Sequence, residues 1–332
     1  MQSLHSPAGL VADIGGTNAR FGWVAPGGSS VEQVHTLPVA AHAGPAEAVL
    51  AYLALLRPAL GERYAAPRRA AFALATVVDG DRVEMTNSHW RFSRAELRAM
   101  LGLERLLLLN DFEALALALP RLQAPQLRAW DGAAPPARPA GTLAVIGPGT
   151  GLGVAGVTRA GAGWLALPGE GGHMTLAAMD DFEEALLGFV RRQRYPHVSA
   201  ERLLSGMGLP LLHEAVAAVL GRAQAPLTAA AIVEAGLGGG DAVAERTLDS
   251  FCALLGGFAG NVALTLGARG GVYIGGGIVP RLGEYFFRSR FRERFEAKGR
   301  FGSYLAPIPT LLILDTLVAL GGAALALEQD RA

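Results

Sequence analysis

The sequence predicts an α/β fold, and three observations carry that prediction. Short apolar runs alternate with helical stretches along the chain. A strand, a glycine turn and a second strand at residues 10–24 recur at residues 143–157, with Gly16 over Gly149 and Thr17 over Thr150, so the chain reads as internally duplicated. A third apolar run, Gly270-Gly271-Val272-Tyr273-Ile274, stops in Gly275-Gly276-Gly277 ahead of a helix.

Taken in order, Leu10-Val11-Ala12-Asp13 is a strand, Ile14-Gly15-Gly16-Thr17-Asn18-Ala19 a turn, and Arg20-Phe21-Gly22-Trp23-Val24 the antiparallel return. A helix is expected at 46–60 and a strand at 70–78. Leu106-Leu107-Leu108-Leu109 then runs into Asn110-Asp111 and a short helix, 112–119, stopped by Pro120. Residues 120–141, with Pro120, Pro125, Pro135, Pro136 and Pro139, read as an exposed connection between the two halves. After the second hairpin come a Pro/Gly-rich turn within 165–173, helices near 181–192 and 211–220, and a long helix ending near Gly267. Phe287, Phe291 and Phe295 recur every four residues, which predicts one amphipathic helix with its charges in water rather than a nucleic-acid patch.

Composition excludes several classes of function. The 332 residues are 51% hydrophobic and carry 29 basic against 29 acidic side chains, so the chain has core material for about two domains and no net charge to attract nucleic acid or an anionic membrane. Lys298 is the only lysine, which leaves no Walker-type Gly-Lys-Ser/Thr step and no amine suited to Schiff-base chemistry. The single cysteine, Cys252, sits in an apolar run as a buried thiol and rules out disulfides and Cys-based zinc sites. Mean hydropathy is +0.31, but the uncharged stretch at 250–268 is interrupted by Gly256, Gly257, Gly260, Asn261 and Gly267 and reads as buried core. Residues 1–9 lack a basic start and a long apolar run, so no signal peptide is expected, and a reducing cytoplasm suits the cysteine economy.

Four places can carry chemistry, and each also has a plain structural reading. Amides of Gly15, Gly16, Thr17 and Asn18 can grip terminal phosphates while Asp13, closing a buried strand, reaches Mg²⁺ through water; the same turn is otherwise an ordinary hairpin. Gly149, Thr150 and Gly151 repeat that geometry, and a dinucleotide fingerprint is excluded because a strand, not a helix, follows Gly153. Asn110 and Asp111 cap a helix, a place from which Asp111 can also accept a hydroxyl proton while Asn110 offers a donor and an acceptor to a polyol. Glu170 and His173 share a glycine-rich bend, as a structural pair or as binding groups, and Glu201 alone reads as a solvated helix-start charge.

Together these residues resemble the bacterial glucokinase family, ATP-dependent hexokinase relatives with the actin-like ATPase fold. The resemblance rests on Ala12-Asp13-Ile14-Gly15-Gly16-Thr17-Asn18-Ala19-Arg20, Met85-Thr86-Asn87, Asn110-Asp111-Phe112, residues 147–153, 167–173, 198–208 and 274–281, and Lys298-Gly299-Arg300-Phe301. It implies two actin-like (ribonuclease H-like) α/β domains around a central cleft, a small one at 1–121 plus 314–332 and a large one at 122–313. By the matching motifs, Asn110, Asp111, Glu170, His173 and Glu201 would surround the sugar, with Asp111 as general base. Asp13, Gly15, Gly16, Thr17, Asn18, Arg20, Gly149, Thr150 and Gly151 would hold the phosphates of ATP and Mg²⁺, and Gly275, Gly276 and Gly277 would lie near the adenosine. The implied activity is transfer of the γ-phosphoryl of ATP to the 6-hydroxyl of glucose, feeding glycolysis in the cytoplasm, by a homodimer with no nucleic-acid or membrane partner.

The chain departs from the family pattern at Thr76-Val77-Val78, where relatives often carry a proline, and at Asp315-Thr316-Leu317-Val318-Ala319-Leu320-Gly321, where an Asn-Pro-Gly step is frequent. The zinc-binding cysteines of the related ROK kinases and repressors are absent. The competing readings are a non-catalytic sugar or nucleotide sensor on the same fold, and a kinase for mannose, fructose or an amino sugar.

Overall fold

The computed structural model describes residues 6–132, 135 and 139–330. In chain order its strands are β1 (Gly9–Ile14), β2 (Asn18–Val24), β3 (Val31–Pro38), β4 (Arg69–Leu74), β5 (Arg82–Glu84), β6 (Arg91–Ser93) and β7 (Arg105–Asn110). They are followed by β8 (Leu127–Ala129), β9 (Leu143–Pro148), β10 (Leu152–Ala160), β11 (Gly163–Leu167), β12 (Gly271–Ile274) and β13 (Thr310–Ile313). The chain divides into two compact units, one of Met1–Leu122, Ala160–Pro168 and Thr316–Ala332, the other of Gln123–Arg159 and Gly169–Asp315.

In the first unit five strands lie in the order β3-β2-β1-β4-β7, with β1, β4 and β7 parallel and β2 and β3 antiparallel. Both faces of β1 are covered, which is why its sequence is a continuous apolar run rather than an alternation. Leu10, Ala12 and Ile14 join a core with Phe21, Phe72 and Tyr52, the last from helix α1 (Pro45–Leu60). Val11 points the other way, onto Leu320, Ala323 and Leu327 of the helix Val318–Gln329. The helices α2 (Arg94–Met100) and α3 (Asp111–Ala118) bracket β7 in sequence. In the same unit the Gln329 side chain accepts from the Trp164 amide at 2.7 Å and donates to its carbonyl at 2.9 Å, which ties β11 to the last helix.

The second unit orders its strands β10-β9-β12-β13-β8, parallel through β9, β12 and β13 and antiparallel at both ends. Its core joins Ile146, Val272 and Ile274 of the sheet to apolar residues of α4 (Asp181–Gln193), α5 (Leu209–Val219), α6 (Ala229–Gly238) and α7 (Ala242–Leu266). By length and composition α7 could cross a membrane, yet 83% of its apolar window is buried inside the protein. Asp241 caps its N-terminus by accepting from the amides of Val243 and Ala244, and Gly267 ends it in the left-handed conformation at φ 60°. Cys252 lies wholly inside this helix's core, and burial pushes its thiol up to about 12.

Four expectations about the elements are corrected. The strand expected at 70–78 ends at Leu74, because Thr76 turns its hydroxyl to the Glu84 carbonyl instead of continuing the ladder. The proline-rich connection contains β8, whose Leu127 and Ala129 are buried beside β13; Pro136 lies outside the described residues. Helix α6, absent from the sequence reading, starts where Thr228 accepts from the Ala231 amide. The phenylalanine stretch is two short helices, Glu284–Arg288 and Phe291–Glu296, broken at Ser289, and its Arg294 is buried rather than solvated.

Candidate functional site

The first hairpin sets its glycines against the chain that follows β5. The Gly15 amide donates to the Asn18 carbonyl at 2.9 Å and closes the turn. A Cβ on Gly16 would lie 2.5 Å from the Asn87 carbonyl oxygen and 2.8 Å from the Asn87 Cβ, so only glycine fits there. Thr17 and Asn18 are exposed at the tip. At the turn's base Asp13 pairs across the strands with Arg20, whose guanidinium donates to its carboxylate at 3.0 Å. Burial pushes the Asp13 carboxyl above the usual carboxylate range, and the charge and hydrogen bond of Arg20 oppose that shift. Asp13 therefore stands as one carboxylate held by one arginine; among the described residues no group of three His, Cys, Asp or Glu side chains is spaced to hold a metal. That donor set fits Mg²⁺ only in the manner of a phosphate-borne ion, which keeps most of its waters and needs one or two protein carboxylates.

Also in the first unit, β7 delivers Asn110 and Asp111 to the start of α3. Both side chains turn to one amide: Asn110, the cap, accepts from the Phe112 amide through its Oδ1 at 2.9 Å, and Asp111, the first helical residue, accepts from the same amide through its own Oδ1 at 2.9 Å. Glu113 closes the reciprocal half of a capping box by accepting from the Asn110 amide at 3.3 Å. The Asn110 Nδ2 donates to the Thr76 carbonyl at 3.2 Å, so the segment that departs from the family pattern is the one that holds this side chain. Asp111 is half-buried. From sequence, Thr76 figures only in a departure from the family pattern and Asn87 only in a matching motif, neither with a contact assigned; Glu113 is not singled out, although the Asn-x-x-Glu spacing of a capping box is its readable signal.

In the second unit the β9–β10 turn is closed by the Gly149 amide donating to the Gly151 carbonyl at 2.9 Å. Thr150 is exposed and Gly149 half-buried. Glu201, from the short turn Ala200–Arg202, is not a free surface charge: its Oε2 accepts from the Leu152 amide at 2.9 Å, and a Cβ on Gly151 would come within 2.5 Å of the same oxygen. The Gly206 amide donates to the Gly149 carbonyl at 2.8 Å and the Met207 amide to the Thr150 carbonyl at 3.4 Å, so the segment carrying Glu201 grips this turn at three points. Glu170 bridges Val154 of β10 and leads into the turn Gly171–His173, where a Cβ on Gly172 would collide with the Leu152 carbonyl. Glu170 and His173 themselves are exposed. The structure thus gathers Gly149, Thr150, Gly151, Glu170, His173 and Glu201 around β10. The third glycine run leaves β12 with the Gly275 amide donating to the Ile146 carbonyl at 2.8 Å. Gly276 adopts φ 76° with no room for a Cβ against the Pro148 carbonyl, while Gly277 is open.

A family model described as Glucokinase matches residues 10–330. The chain is similar to a glucokinase of Aromatoleum aromaticum, 52% identical over 320 residues that cover 96% of this chain and 94% of that protein. It is also similar to a glucokinase of Chromobacterium violaceum, 50% identical over 316 residues covering 95% and 88% respectively. Among solved structures, the glucokinase from an Antarctic psychrotroph superposes with a TM-score of 0.87 at 38% identity, covering 97% of this chain and 99% of that one. The fold is the two-domain actin-like ATPase fold that the resemblance implies, and the repeated hairpins agree with it. With a family model spanning residues 10–330 and relatives identical at half of their aligned positions, this chain belongs to the glucokinase family.

Proposed function

We propose that the chain transfers the γ-phosphoryl group of ATP to the 6-hydroxyl of glucose, with Asp111 as general base. The observation that carries this reading is the Asn110-Asp111 step at the end of β7 and the start of α3, in a chain 52% identical to a bacterial glucokinase. Asp111 takes the proton of the sugar hydroxyl as its oxygen bonds to phosphorus and the bond to the β-phosphate oxygen breaks, so that ADP leaves with the electron pair. Asn110, Glu170, His173 and Glu201 hold the remaining hydroxyls. A hydroxyl inverted against such groups leaves a polar partner covered by the bound sugar and unpaired, at about 1–3 kcal/mol, which is the basis for sugar selectivity.

In this proposal Asp13, Gly15, Gly16, Thr17, Asn18, Arg20, Gly149, Thr150 and Gly151 receive the phosphates, and Gly275, Gly276 and Gly277 lie near the adenosine. When Mg²⁺ is bound it neutralises charge on the transferring phosphoryl group, and Asp13 is the residue that would hold it through water. The domain assignment of a small domain at 1–121 plus 314–332 and a large one at 122–313 belongs to the same reading, as do a homodimeric assembly and a cytoplasmic place of action.

The test is a coupled assay of sugar phosphate formation with Mg-ATP, comparing glucose with mannose, fructose and N-acetylglucosamine. Glucose is the expected substrate, and Asp111→Asn is expected to lower kcat by about 10²- to 10⁴-fold while sugar binding measured by calorimetry persists. Near wild-type turnover in that variant removes Asp111 as base, and binding without transfer to any sugar replaces the kinase by a sensor.

A further inference from the structure

Asn110 is held on three sides, and the three contacts leave a defined remainder. Its backbone amide donates to Glu113, its Oδ1 accepts from the Phe112 amide, and its Nδ2 donates to the Thr76 carbonyl. An asparagine amide has two N–H donors and two acceptor lone pairs, so one of each is committed and one of each stays available. The assignment of oxygen and nitrogen is also forced, because exchanging them would set N–H against N–H at Phe112 and oxygen against oxygen at Thr76.

Thr76 is itself fixed by its hydroxyl, which donates to the Glu84 carbonyl at 2.9 Å and so must accept from Thr86 at 3.0 Å. The anchor on the strand side is thus built from backbone and hydroxyl groups of the segment 76–86. On the helix side the Phe112 amide holds the Asn110 side chain, and one side chain, Glu113, half-buried and placed in the first turn of α3, holds its backbone amide. An ordinary helix could start with the Asn110 cap alone. The added carboxylate fixes the backbone amide at the residue whose side chain and successor carry the chemistry.

We infer that Glu113 is a positioning residue for the reaction: by accepting from the Asn110 amide it sets the direction in which Asn110 and Asp111 leave β7, and with it the discrimination between glucose and its epimers. This rests on the proposed role of Asp111 and adds a residue that does not touch the substrate. Only an acceptor is required, so glutamine serves and alanine does not.

The experiment measures kcat and kcat/KM for glucose, mannose, allose and galactose in Glu113→Ala and Glu113→Gln, with thermal melting of both variants and Asp111→Asn as control. Expected in Glu113→Ala is a fall of about 10- to 100-fold in kcat with glucose, an unchanged KM for ATP and a lower ratio of glucose to epimer activity, all recovered in Glu113→Gln. A ratio of rates is independent of the fraction of protein folded, so a purely structural cap lowers the melting temperature and leaves the ratio as it was. That result overturns the inference, as does equal loss in both variants. Full turnover in Asp111→Asn instead overturns the underlying role of Asp111, and is read separately from either Glu113 variant.

Discussion

Arg294 shows how much one buried cation can hold together. Its guanidinium donates to Glu183 at 2.9 Å and also to Asp180, the residue that caps α4. Burial pushes the Glu183 carboxyl above its usual range, so its charge is tolerated because Arg294 is beside it. Truncation leaves that carboxylate buried with the Met179 amide, at 2.7 Å, but without its ion-pair partner. Arg294→Ala is therefore expected to lower the unfolding free energy by about 3–5 kcal/mol in urea titrations. The double variant Arg294→Met with Glu183→Leu should recover most of the loss, since apolar groups of similar size need no partner. A cost below about 1 kcal/mol for Arg294→Ala would class the contact with exposed ion pairs.

Between elements, two adjacent glycines of the helix Val318–Gln329 meet different surroundings. A Cβ on Gly322 would run into the carbonyl of Ala114, where this helix crosses α3, whereas a Cβ on Gly321 finds nothing within 4 Å. Gly322→Ala should therefore destabilise by about 1–3 kcal/mol through overpacking. Gly321→Ala should be neutral or stabilising by up to about 1 kcal/mol, because glycine is the poorer helix former. Thermal melts of the two variants check the opposite signs directly.

For the molecule as a whole, acid sensitivity follows from two opposed sets of carboxylates. Asp180 and Asp330 lie below their ordinary range. Burial works against that shift, and hydrogen bonds and charges outweigh it: the Glu183 amide and Arg294 at Asp180, and Arg105 and Arg69 at Asp330. Their stabilisation is present above the unfolded carboxylate range and is lost as pH falls through the lower folded values, below about 4. Asp13, Glu113 and Glu183 are raised, chiefly by burial, so their ionisation opposes folding and protonation on acidification relieves it. Melting temperature should then hold or rise slightly from pH 7 to 5 and drop steeply below about 4; a monotonic fall from pH 7 would contradict this balance. Much of this protein was legible in its sequence, because strand, turn and helix signals are local: the repeated hairpins at Gly16 and Gly149, the run of leucines into Asn110, the cap at Gly267 and the buried Cys252 all depend on neighbours along the chain. What only the tertiary structure decided are contacts between residues far apart in sequence. The Asn87 backbone under Gly16, the Thr76 carbonyl on Asn110, the Glu201 carboxylate on the Leu152 amide and the inward turn of Arg294 have no periodicity to announce them. Each joins residues far apart along the chain that only folding brings into contact.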